Sequence, residues 1–351
     1  MSDLSRLSGF LTRQAVACGR LGSPMYEQLL HRAAGQLSSA GPLRRLLAPH
    51  AEANGPAATG LRLLGTVHRL VLERRGGDLA LYYPSVGGTF DLEAAWPALL
   101  EVLEVHTDEV AAGMQRPPQT NEVGRAAALV GGLLRVLRPR PQPVRLHELG
   151  SSAGLNLLAD QYRYVSPTGS WGPLDSPVRL DPAWTGMPTP LDRELTVVER
   201  HGCDPDPVDV TTTQGRTVLM SYVWPDQRAR LERLRGAFAV AGRMPIELTT
   251  ERAGNFVSRM RLADGQATVL WHSLMWQYLD PAEQTTVNDH VRRLSQQATP
   301  AAPLIHLFLE PWRRAAGAVH DFLVVAQTWP GGESQVLASA PGHGVPVTWE
   351  Q

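Results

Sequence analysis

Val144-Arg-Leu-His-Glu-Leu-Gly-Ser-Ser-Ala-Gly-Leu-Asn156 decides how this chain folds. Residues 144–149 read as a short buried strand, 150–154 as a tight glycine turn, and Leu155 onward as a helix. Glu148 stands at the strand's end, and Gly150 and Gly154 bracket the turn. Such a turn sets backbone N–H groups at a helix N-terminus, where a polar ligand group can come close. In open α/β sheets ligands bind beyond the carboxyl ends of the strands, at turns of this kind. A nucleotide-type site is therefore expected here, with Glu148, Gly150, Ser151, Ser152, Gly154 and Asn156 as its first candidate residues.

Upstream, Arg138-Pro-Arg-Pro-Gln-Pro143 is a stiff connector and the best boundary in the chain. It divides an expected helical N-terminal cap domain, residues 1–140, from an expected α/β domain, residues 141–351. In the first part apolar residues recur at three and four spacing in Leu4 to Ala17, Met25 to Leu37, Thr59 to Leu72, Leu92 to Met114 and Asn121 to Arg138. Leu79 to Gly88 interrupts them as an extended piece and a glycine turn. After the connector the pattern alternates. Strands are expected at Val144–Leu149, Leu195–Glu199, Thr217–Tyr222, Ile246–Thr249, Thr268–His272 and Leu304–Leu309. Helices are expected at Gly154–Tyr164, Gln227–Ala241, Arg252–Leu262 and Pro281–Ala298. Phe322–Thr328 and Gln335–Ser339 close the chain as a hairpin, and Tyr164 to Asp192 is an irregular insertion. Alternation of this kind specifies an α/β fold with a doubly wound, mostly parallel sheet.

Composition narrows the chemistry. The chain has 351 residues, a net charge of −1, 43% hydrophobic residues and 19% charged ones, as a soluble globular protein has. All 33 basic residues are arginine. Without lysine there is no Schiff base, no pyridoxal-phosphate anchor and no P-loop lysine, so arginine must recognise any anion. Two cysteines, Cys18 and Cys203, make neither a disulfide framework nor a zinc site, and no metal-ligand spacing occurs, so no metal is expected. No apolar run reaches membrane length, and Met1 to Arg20 is amphipathic without a signal-peptide core. The expectation is a cytoplasmic protein with a small-molecule substrate, and with neither a membrane nor a nucleic acid as partner, because basic residues are scattered among acids.

Three readings of the turn stand side by side. Glu148-x-Gly150-x-x-x-Gly154 resembles the E/D-x-G-x-G-x-G signature of class I S-adenosylmethionine-dependent methyltransferases, with Ser152 in place of the middle glycine. That resemblance implies a Rossmann-type core, S-adenosylmethionine as cofactor, and an acidic residue after the next strand for the ribose; Asp204 is the candidate. Gly150-Ser-Ser-Ala-Gly154 also matches the G-x-S-x-G nucleophile elbow, with Ser152 as nucleophile and Asp226, His272 or His343 as partners, although no upstream oxyanion loop accompanies it. Thirdly, glycines let a helix pack closely on a strand with no ligand at all.

Other polar clusters extend the candidate set. Gln119-Thr-Asn-Glu-Val-Gly-Arg125 opens an apolar helix; Asn121 and Glu122 suit its N-terminus, and Arg125 can fork a carboxylate. Ser221-Tyr-Val-Trp-Pro-Asp-Gln227 reads as a strand end leading into a helix, which puts Tyr222, Trp224, Asp226 and Gln227 on a ligand face. Trp271-His-Ser-Leu-Met-Trp276 ends another strand and offers His272 as general base or orienting group.

These blocks, together with Tyr83-Pro-Ser-Val-Gly-Gly88, resemble those of a bacterial family known as domain of unknown function 2332. The resemblance spans nearly the whole chain and implies a bacterial protein, without supplying a reaction. The leading expectation is methyl transfer from S-adenosylmethionine to a small molecule. Glu148, Gly150, Ser151, Ser152, Gly154, Asn156 and Asp204 would hold the cofactor, and His272, Asp226 and Gln227 would act near the substrate. Asn121, Glu122, Arg125, Tyr222 and Trp224 would bind the substrate. A fold retained for ligand binding without methyl transfer, and a serine hydrolase through Ser152, are the alternatives.

Overall fold

The structure, a computed structural model, describes residues 3–51, 58–315, 317 and 320–350; Met1 and Ser2 of the N-terminal stretch lie outside them. Contacts group the chain into two compact units, Met1–Thr120 with Thr212–Leu231, and Asn121–Thr211 with Glu232–Gln351. The Arg138–Pro143 connector lies inside the second unit, joining a helix to the first strand of the sheet.

The first unit is helical: α1 (Asp3–Arg20), α2 (Pro24–Gln36), α3 (Pro42–Leu47), α4 (Thr59–Leu72), α5 (Leu92–Val105) and α6 (Thr107–Gly113), with Thr213–Ser221 as α8 once Ala126–Val136 is counted as α7. The three-and-four spacing of Leu7, Leu11, Leu29, Leu30, Leu63 and Val67 turns them into one buried core. Ser23 caps α2 by accepting the Tyr26 amide, and Asp91 caps α5 by accepting that of Ala94. The single helix expected over Leu92–Met114 breaks at His106, which ends α5 and opens α6. The extended piece expected at 79–88 is instead two 3₁₀ turns, Gly77–Tyr82 and Pro84–Val86. Their tight backbone closes on Gly88, where a Cβ would lie 2.5 Å from the Leu81 carbonyl oxygen.

The strand expected at Thr217–Tyr222 is corrected to helix α8. Gly215, Thr217, Leu219 and Ser221 are buried alternately, which mimics a strand in the sequence. The Thr212 hydroxyl, however, caps the Gly215 amide and starts a helix there, and tertiary packing overrides the β-branched propensity of the run.

The second unit is built on β1 (Val144–Leu149), β2 (Arg163–Ser166), β3 (Gly169–Trp171), β4 (Arg179–Leu180), β5 (Trp184–Thr185), β6 (Val197–Asp204), β7 (Glu247–Thr250), β8 (Ala267–Ser273), β9 (Leu304–Trp312), β10 (Asp321–Trp329), β11 (Ser334–Ser339) and β12 (Val347–Trp349). The main sheet runs β5-β12-β11-β10-β9-β8-β1-β6-β7. From β7 to β9 every pairing is parallel, and β9 to β12 is an antiparallel meander, longer than the closing hairpin expected at 322–339. This is a mixed α/β fold with a large, mostly parallel sheet. Taken in chain order the five parallel strands read 3-2-1-4-5, so the order reverses at β1.

The two faces are covered by different helices. After α9 (Arg228–Ala241) in chain order, α10 (Ala253–Arg259) and α11 (Pro281–Ser295) bury Leu149, Leu270 and Leu304. On the other face α7 comes so close that a Cβ on Gly132 would lie 2.9 Å from Leu307. The insertion folds into a small sheet, β3-β2-β4, and supplies β5 to the main one; Tyr164 stacks on Trp184 at 5.4 Å. β2 starts at Arg163, so the helix expected at Gly154–Tyr164 shortens to a 3₁₀ segment, Leu155–Gln161.

Candidate site where the strand order reverses

β1 pairs with β6 on one side and β8 on the other. The loops that leave these strands start at Gly150, after Asp204 and after Ser273. Gly150 has a φ of +62°, and a Cβ there would lie 3.0 Å from that of Met275, so the first loop lies against the third.

The turn's amides are all committed within the chain. Gly150 N–H bonds to the Cys203 thiol, and Ser151 N donates to the Cys203 carbonyl at 3.0 Å. Ser152 N donates to Asp204 Oδ2 at 2.9 Å. Ala153 N and Leu155 N both donate to Asn121 Oδ1, at 3.2 and 3.0 Å, and Gly154 N to the Ser151 carbonyl at 2.7 Å. A Cβ on Gly154 would strike Ile246 and Leu248 at 2.8 and 2.9 Å. The glycines therefore serve close packing, and the seven-residue 3₁₀ segment after them provides no long helix N-terminus. Asp204 is the last residue of β6, which runs beyond the Glu199 end expected, and its other oxygen takes the Asp206 amide at 2.9 Å.

Glu148 and Trp271 are register partners and share a face. Burial pushes the Glu148 carboxyl up to about 8; Asn156, the Trp271 indole and the Arg125 charge oppose the rise. Glu148 Oε2 and Asn156 Oδ1 are buried and have no hydrogen-bond partner among the described residues. Arg125 donates from Nε to the Gly342 carbonyl and from Nη1 to that of Ser273, both at 3.3 Å, so it reaches the end of β8. Glu122 Oε1 accepts the Gly124 amide at 3.0 Å and shapes the segment that carries Asn121 and Arg125. Glu148, Asn156, Asn121 and Arg125 thus come together with the turn.

His272 does not join them. It is the register partner of Leu149, on the α10/α11 face. Its Nδ1 lies 2.8 Å from Glu310 Oε1 and its Nε2 3.0 Å from His306 Nε2, so both nitrogens are committed. Burial holds the His306 imidazole down at about 3, hence neutral. Glu310 Oε1 also accepts the amides of Met275 and Trp276 at 3.0 and 3.2 Å, which anchors the loop leaving β8. Sequence reading missed Glu310 and His306, although both lie on one face of the strand at a spacing of four.

Tyr222, Trp224, Asp226 and Gln227 are corrected as strand-end residues: all four belong to the helical unit. Asp226 accepts the Ser23 hydroxyl at 2.7 Å and the Met25 amide at 3.0 Å, reinforcing the cap of α2. Gln227 Nε2 donates to the Leu21 carbonyl at 2.6 Å, Trp224 packs on Tyr26, and Tyr222 fills the space beside Gly65.

The model of one family, described as an uncharacterised protein conserved in bacteria (DUF2332), matches residues 10–349. The chain belongs to that family. No curated protein and no solved structure matches it.

Proposed function

We propose that the second unit is a small-molecule enzyme of methyltransferase-like build, with its ligand held where the strand order reverses and S-adenosylmethionine as methyl donor. The observation that carries this reading is the buried pair of unpartnered polar atoms, Glu148 Oε2 and Asn156 Oδ1, beneath the turn. Buried polar atoms are normally satisfied, so such a pair marks capacity for a ligand group or water. The order 3-2-1-4-5 supports it, being the first five places of the dinucleotide-binding arrangement, whose ligands sit at the reversal.

The residues fit the cofactor through side chains and not through the turn's amides. Glu148 and Asn156 would meet its amino end, Arg125 would fork its carboxylate, and Asp204 stands at the strand end where the resemblance puts the ribose. When bound, the sulfonium supplies an electrophilic methyl group. The chain's own task is to position the acceptor in line and exclude water. For the hydrolase reading, Ser152 does have the positive φ, +53°, of a strained elbow. Two of the three partners offered for it are engaged elsewhere, Asp226 in the helical unit and His272 by Glu310 and His306.

Calorimetry with S-adenosylmethionine and S-adenosylhomocysteine tests the proposal. Micromolar binding that is lost in Glu148→Gln and weakened in Arg125→Gln is expected. No heat at about 1 mM of either ligand, a free energy weaker than ~4 kcal/mol, would sink the cofactor assignment.

A further inference from the structure

The helical unit contains a cavity of about 300 Å³ that the proposed methyl-transfer site does not use. Its walls are α1, the first turn of α4 and Trp224, with Leu7, Phe10, Leu11 and Leu61 giving it an apolar lining. An engineered cavity of ~150 Å³ holds a benzene ring, and pockets for small ligands start at roughly 300 Å³.

We propose that this cavity binds a compact apolar carboxylic acid, with its hydrocarbon body against the leucines and its carboxylate at Arg13. Arg13 lines the cavity and stacks on the Phe10 ring, 4.5 Å from its centroid. Among the described residues it has no carboxylate partner, although arginines elsewhere in the unit, such as Arg32, Arg45 and Arg75, are paired. Its planar fork suits a carboxylate. Thr59-Gly60-Leu61, also in the lining, starts α4 behind Ala58, whose side chain makes no cap hydrogen bond, so the cavity meets the positive end of a fourteen-residue helix. A Cβ on Gly60 would lie 2.4 Å from Gln14 Oε1 and 2.6 Å from Leu30, which is why glycine brings this turn so near α1 and α2. Burial, with Asp226 and Glu27 nearby, pushes the Cys18 thiol up to about 12, so this lining group stays uncharged. Arg13 is thus the one charged side chain among the described lining residues, the start of α4 adds to its positive potential, and apart from Gln14, Thr59 and Cys18 the lining is apolar.

Titrating the full chain with decanoate and with decanol by calorimetry tests this, at concentrations up to about 1 mM. Decanoate is expected to bind at least tenfold more tightly than decanol, a difference of ~1.4 kcal/mol. Arg13→Gln should remove that preference while leaving decanol unaffected. Leu61→Trp fills the cavity and should abolish both; if it fails to fold, Ala17→Phe fills the same space from an exposed position on α1. Absence of decanoate binding overturns the proposal. So does equal affinity for acid and alcohol, or binding that survives a well-folded cavity-filling variant. S-adenosylmethionine binding to the same samples reports separately on the second unit.

Discussion

The side-chain oxygen of Asn121 lies 3.0 Å from the amide nitrogen of Leu155 and takes the place that a ligand's anionic group occupies in a phosphate-binding turn. Asn121 holds this position with a φ of +27°, and its Oδ1 also accepts the Ala153 amide. The turn is thus closed by the chain itself.

Asn121→Ala should therefore destabilise the second unit, because it leaves two buried N–H groups without acceptors. At roughly 1–3 kcal/mol each the loss is about 2–6 kcal/mol. Asn121→Asp keeps the acceptor and should lose much less. Urea unfolding of the three proteins checks this, and equal midpoints for Ala and Asp would show that the side-chain oxygen is not what closes the turn.

Glu148 sets a pH dependence of the opposite sign to most carboxylates. Its folded value, about 8, lies above the ordinary 4.5, so between those limits the folded chain holds a proton that the unfolded chain has lost. Stability should fall as pH rises from about 4.5 to 8, by an upper bound of ~5 kcal/mol. Glu148→Gln should flatten that slope and be the more stable protein at pH 8. Binding of a cationic amino group beside Glu148 should also release a proton near pH 7, seen as a buffer-dependent heat. A variant with unchanged pH dependence would refute the assignment.

Much of this site was legible because the signals were local. Val144, Leu146 and Leu149 give the strand its apolar positions from a β-branched start, and Gly150 and Gly154 sit where positive φ is needed, so strand and turn were readable from one segment. Asp204 reads as following a strand that ends at Glu199, and its place was only roughly legible because polar residues 199–201 hide that the strand runs on to Asp204 itself. The hidden part depended on distant partners. Nothing near Asn121 says that its oxygen will meet residues 153 and 155, and nothing near Asp226 says that it caps α2. The alternate burial of α8 imitated a strand because burial periodicity reports which residues face the core and not the backbone angles. His272 was correctly placed on a strand, but a register partner decides which face it shares, and that requires the sheet order.

Glu310 should govern the loop leaving β8. One carboxylate oxygen holds His272 Nδ1 and the amides of Met275 and Trp276. Glu310→Leu frees all three, and stripping one partner from such a buried network costs ~3–5 kcal/mol. Amide exchange at Met275 and Trp276 should accelerate more than exchange in the β1 strand. Uniform acceleration across the sheet would mean that Glu310 supports the core as a whole and does not hold this loop in particular.

Three buried histidines set the acid limit of the fold. Burial is the leading cause in each case, and it lowers His147 and His306 to about 3 and His68 to about 4. Below the ordinary 6.5 the unfolded chain takes up these protons and the folded chain does not, so stability is complete above that value and is lost as pH falls towards 3. His68 acts in the helical unit, and His147 and His306 act in the sheet unit. Two protons taken up on unfolding give the sheet unit a slope of ~2.7 kcal/mol per pH unit, steep against a total of ~5–15 kcal/mol. The Glu148 term runs the other way over part of this range but involves one proton only, so the histidines win below about pH 6. Unfolding of the sheet unit near pH 4 is the expected outcome, followed by circular dichroism from pH 8 to pH 3. His306→Gln cannot take up that proton, so it should shift the acid midpoint downward even if it lowers stability at pH 7. An unshifted midpoint would show that His306 is not held neutral in the fold.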